Sequence, residues 1–96
     1  MAPTANCPSE RVAAIEAEIR AALILIQRAE SALVASDLPS ATILQDGADQ
    51  ACTTILRRIT RLDELAADSI EPAFSRFEEK LLRLSRILSK ETVRFF

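Results

Sequence analysis

Four carboxylates crowd one short stretch of the chain, Asp63, Glu64, Asp68 and Glu71, and two thiols, Cys7 and Cys52, stand well apart from them. Few other side chains are of a type that does chemistry. There is no histidine, which removes the commonest general base, the usual nucleophilic triads and the helical Glu-x-x-His metal sites. The one glycine, Gly47, cannot build a phosphate-cradling loop. A hard cation at the acidic cluster would need about six or more oxygen ligands from a shaped loop. Acids near a helix junction serve as caps instead. Two cysteines without metal-ligand spacing read as reduced thiols of a cytoplasmic protein, Cys7 in an N-terminal tail and Cys52 on the apolar side of a helix. The expectation is a non-catalytic protein with no cofactor and no metal.

The elements that carry these residues are helical. The chain has 96 residues, enough for one small domain, with 49% apolar residues, no Trp or Tyr and only four Phe. Ala, Leu and Ile with Glu and Arg are the composition of long helices. With one Gly and four Pro there is little material for β-turns, and no period-two alternation is sustained. An all-α fold follows: an antiparallel helical hairpin plus a third helix, a coiled-coil-like three-helix bundle expected to assemble as a dimer.

Residues 1–8 are expected as a flexible tail and 9–96 as a single helical domain. Ser9 is a candidate N-cap, with Glu10 in the first turn. Val12, Ile15, Ile19, Ala22, Ile26, Ala29 and Leu33 then recur at steps of three and four, placing a first helix at about 9–35. The segment SDLPS ends it, since Pro39 disfavours helix at Leu38. A second helix at about 40–67 presents Ala41, Leu44, Ala48, Cys52, Ile55, Ile59, Leu62 and Ala66, with Gly47 its weak point. DSIEP reads as a stop and restart, with Asp68 or Ser69 capping, Glu71 reaching back and Pro72 in the first turn. A third helix at about 70–94 uses Ile70, Phe74, Phe77, Leu81, Leu84, Leu88 and Phe95. MAPTANCPSE lacks the basic and apolar regions of a signal peptide, and the longest apolar run, 21–26, is too short to span a bilayer.

Two surfaces exceed what such a bundle needs. At about 100° per residue, Arg76, Lys80, Arg83, Arg86, Lys90 and Arg94 fall opposite the apolar seam of the third helix, with Glu79 among them. They form a candidate docking strip for an acidic partner, which Phe96 at the chain end extends. On the first helix, Ala13, Ala17, Ala21 and Leu25 recur every four residues off the main seam, beside Ile24. That second apolar face is a candidate homodimer interface, or else the mark of a central helix clasped by both others.

The charge is uneven: residues 1–50 hold three basic and seven acidic side chains, residues 51–96 nine and seven. The two halves are expected to attract one another. Taken together, the chain reads as a small interaction module: an adaptor, a chaperone-like subunit or an inhibitor occupying the surface of a larger protein. The alternative is a dimeric nucleic-acid-binding regulator using the third helix. The absence of stacking Tyr or Trp and the sequence pI of about 5.1 weigh against it.

Overall fold

A computed structural model describes the backbone of residues 8–94 and the side chains of residues 10–91. The chain is all-α: α1 (Pro8–Val34), α2 (Leu38–Ile59) and α3 (Glu64–Arg94), with no strand among the described residues. Each helix packs against both others, α1 and α2 most extensively. An ion pair between Glu18 and Arg58 ties the first half of α1 to the end of α2. The side-chain amide of Gln45 donates to Ser85 Oγ at 2.9 Å, tying the start of α2 to the last third of α3. Successive helices therefore run antiparallel. Expectations for residues 1–7, including Cys7, and for Phe95 and Phe96 lie outside the described residues.

The seams read from periodicity meet in one core. From α1 it takes Ile15, Ile19, Ala22, Ile26 and Ala29, and from α2 Ala41, Ala48 and Ile55. From α3 it takes Ile70, Phe74, Phe77, Leu81, Leu84 and Leu88. The division of labour is physical. Fully buried alanines on α1 and α2 let those backbones approach closely, and the large side chains of α3 fill the remaining space. Phe74 and Phe77 meet with ring centroids 6.2 Å apart, tilted by 48°. That is favourable geometry for an aromatic pair. Helix α2 is continuous through Gly47, where Leu25 Cδ1 would lie 3.5 Å from a Cβ. The glycine thus marks a close α1–α2 approach within the helix.

The first turn falls at SDLPS, where the sequence places the break. Ser36 adopts φ 60°, and the N–H groups of Asp37 and Ser36 donate to the carbonyls of Ala32 (2.8 Å) and Leu33 (3.0 Å). These are the two bonds that close a helix C-terminus with a left-handed residue. Asp37 then caps α2, its Oδ1 accepting from Ser40 N–H at 3.2 Å. The Ser40 hydroxyl, and after it this N–H, hold the Asp37 carboxyl below its ordinary range. Leu38 begins α2 although it precedes Pro39, and Pro39 itself falls in the first turn, where its missing N–H is not needed.

The second turn corrects the sequence reading. Helix α2 ends at Ile59, not near Ala67, and α3 begins at Glu64, not Ile70. Asp63 is the capping residue: its Oδ1 accepts from Ala66 N–H at 2.9 Å. Thr60 closes α2, donating from its hydroxyl to Arg57 O at 2.7 Å. Asp68, Ser69 and Glu71 therefore lie within α3 and do not restart a helix. Leu62 belongs to the turn and Ala66 to α3. Pro72 sits inside the helix on its exposed side, where water can reach the Asp68 carbonyl that proline leaves without an N–H partner.

Candidate functional site: the outer faces of α3 and α1

Burying one stripe of α3 sets the direction of everything else on it. Arg76, Lys80, Arg83, Arg86 and Lys90 are all exposed, on the side away from Phe77, Leu84 and Leu88. At 1.5 Å per residue the strip from Arg76 to Lys90 is about 21 Å long. Among the described residues none of these five cations forms an ion pair. The attraction expected between the halves is realised between Glu18 and Arg58, and exposed pairs of this kind contribute about 0.2–1 kcal/mol. Arg94 continues the helix backbone at the end of the strip; its side chain and Phe96 lie outside the described residues.

Exposed apolar residues of α3 were missed by sequence reasoning, one of them, Ile87, on this strip. Ile87, one turn from both Arg83 and Lys90, is 38% exposed, and Leu65, at the start of α3, is 83% exposed. Ile87 was legible by the same projection that found the cations. Leu65 was hidden by the misplaced junction, which assigned it to the preceding helix.

On α1 the structure divides the second apolar face. Ala13, Ala17 and Ala21 are exposed, and Ile24 is 48% exposed. Leu25 is half-buried and turned toward Gly47 of α2, as part of the packing within the chain. Four of the five residues thus remain on an outward face, and Leu25 is shared with the hairpin.

The chemistry-bearing residues are dispersed. Among the described residues no group of three or more His, Cys, Asp or Glu side chains is placed to hold a metal ion. Asp63 caps α3, while Glu64, Asp68 and Glu71 are exposed along it. Among the described residues no helix is long and apolar enough to cross a membrane. Cys52 is half-buried, and burial first, then Glu78 and Asp49, pushes its thiol up from the ordinary value. Since the thiolate is the nucleophile, Cys52 should react slowly with a thiol reagent and accelerate in denaturant. A native rate equal to that of the unfolded chain would mean that α2 turns a different face to the core. No protein-family model matches the chain, and no curated protein or solved structure matches it either.

Proposed function

We propose that the protein is a non-catalytic interaction module that docks the basic strip of α3 against an acidic surface of a larger protein. The observation that carries this reading is the set of five exposed cations outside any ion pair among the described residues. Ile87 adds an apolar anchor among them. An adaptor, a chaperone-like subunit or an inhibitor would each work this way, by presenting preformed surface. A protein recovered from native lysate on the immobilised chain supplies the binding partner, and a salt titration of that purified pair tests the reading. Docking onto protein gives an affinity that weakens as exposed charges are screened over about 8 Å at physiological ionic strength. Recovery of nucleic acid, with log affinity linear in log salt at a slope near −0.9 per phosphate contacted, would favour the regulator alternative.

Self-association is the second part of the proposal. Ile24, with Ala13, Ala17 and Ala21, offers an outward face that the intramolecular core does not use. In light scattering, the wild type at tens of micromolar is expected as a dimer and Ile24→Glu as a monomer, with equal helicity by circular dichroism. A monomeric wild type would leave the α3 strip as the interaction surface of a single chain.

A further inference from the structure

At one end of the hairpin, α1 and the turn after α2 enclose a cleft of about 260 Å³. Its lining comes from α1, α2 and that turn, so it is separate from the basic strip of α3. The floor is apolar: Ala14, Ile15 and Leu62, with Ile15 itself packed in the core. The rim carries three arginines, Arg11, Arg58 and Arg61; among the described lining residues none is a carboxylate, and Glu18 stands just outside, paired with Arg58. We infer that this cleft binds a small aliphatic anion, with a carboxylate or phosphate head on the arginines and its hydrocarbon tail on the apolar floor.

Helix dipoles alone do not account for this constellation. Arg57 and Arg58 lie in the last turn of α2, where the helix dipole favours cations. Arg11 is near the start of α1, where the dipole opposes a cation, and Arg61 lies beyond the end of α2. Three elements therefore deliver positive charge to one place. Glu18 pairs with Arg58 and holds it at the rim, and a guanidinium has five N–H donors, more than one carboxylate uses. The forked geometry of Arg matches carboxylate and phosphate alike. The volume corresponds to about nine water-sized units, below the range of drug-sized pockets, which suits a short chain.

Isothermal titration of the whole chain with octanoate, octyl phosphate, octan-1-ol and acetate, below micelle-forming concentrations, tests the assignment. Saturable binding of octanoate or octyl phosphate is expected, and the tighter of the two identifies the head. Acetate, lacking the tail, and octan-1-ol, lacking the charge, should each bind at least about tenfold more weakly. Ala14 and Arg61 are exposed, so Ala14→Glu and Arg61→Gln should keep their helicity by circular dichroism. Ala14→Glu should abolish binding and Arg61→Gln should weaken it about tenfold. Octan-1-ol binding as tightly as the anions would overturn the proposal. So would the absence of saturable anion binding to the wild type, or unchanged affinity in a folded Ala14→Glu protein.

Discussion

Phe77→Ala is expected to lower the stability of the folded chain by about 3–5 kcal/mol, the usual range for truncating a buried aromatic. Phe77 is fully buried, its ring tilted against that of Phe74, on the helix whose large side chains pack against the Ile and Ala faces of α1 and α2. Its removal leaves a void that those close-packed backbones cannot collapse into. Small domains have total stabilities of about 5–15 kcal/mol, so the variant should unfold at a much lower urea concentration. Leu65→Ala is the control, because an 83% exposed side chain should cost no more than about 0.5 kcal/mol. A Phe77 effect as small as that of Leu65 would mean that α3 does not pack on its own hairpin.

Pro72→Ala should act in the opposite direction, raising stability by about 2 kcal/mol. A proline in a helix interior costs about 3 kcal/mol relative to alanine. Its restriction of the unfolded chain returns about 0.4–1 kcal/mol. The prediction depends on where α3 begins. With Asp63 as the cap, Pro72 lies in the third turn and its missing N–H is felt. If the helix began at Ile70, Pro72 would occupy a first-turn position that needs no N–H, and the substitution would be neutral or slightly destabilising. Urea denaturation of this one variant therefore decides the position of the second junction.

The difference between the junctions explains what could be read from the sequence. The first carries Asp37 and Pro39 together, which mark the break in SDLPS, although Leu38 is helical where Pro39 would keep it out of the helix. The second lies at Thr60–Asp63, without glycine or proline, while a misleading proline stands in the helix beyond. Local signals near Pro72 did not prevail: Ile70 is fully buried, and Ala66 and Ala67 half-buried, in a helix that runs through them. Long seams were legible because one helix face repeats over several turns, as from Ile15 to Ala29. The cationic strip was legible for the same reason, since residues opposite a buried stripe must face out. Leu25 was not, because a residue at the edge of a seam turns inward or outward according to where the neighbouring helix lies. The arginine-rimmed cleft joins positions 11, 58 and 61, which no periodicity connects. Only the hairpin brings them together.

The most direct test of the central claim compares wild type with the triple variant Arg83→Glu, Arg86→Glu, Lys90→Glu, measuring affinity for the purified protein partner together with melting temperature. All three side chains are exposed and in no ion pair among the described residues, so each should change stability by no more than about 0.5 kcal/mol. The account predicts a melting temperature within a few degrees of wild type and an affinity reduced at least about a hundredfold, since like charges facing an acidic surface cost several kcal/mol. A variant that melts far below wild type yet binds the partner with unchanged affinity would contradict it, because the strip would then serve the fold and the docking surface would lie elsewhere.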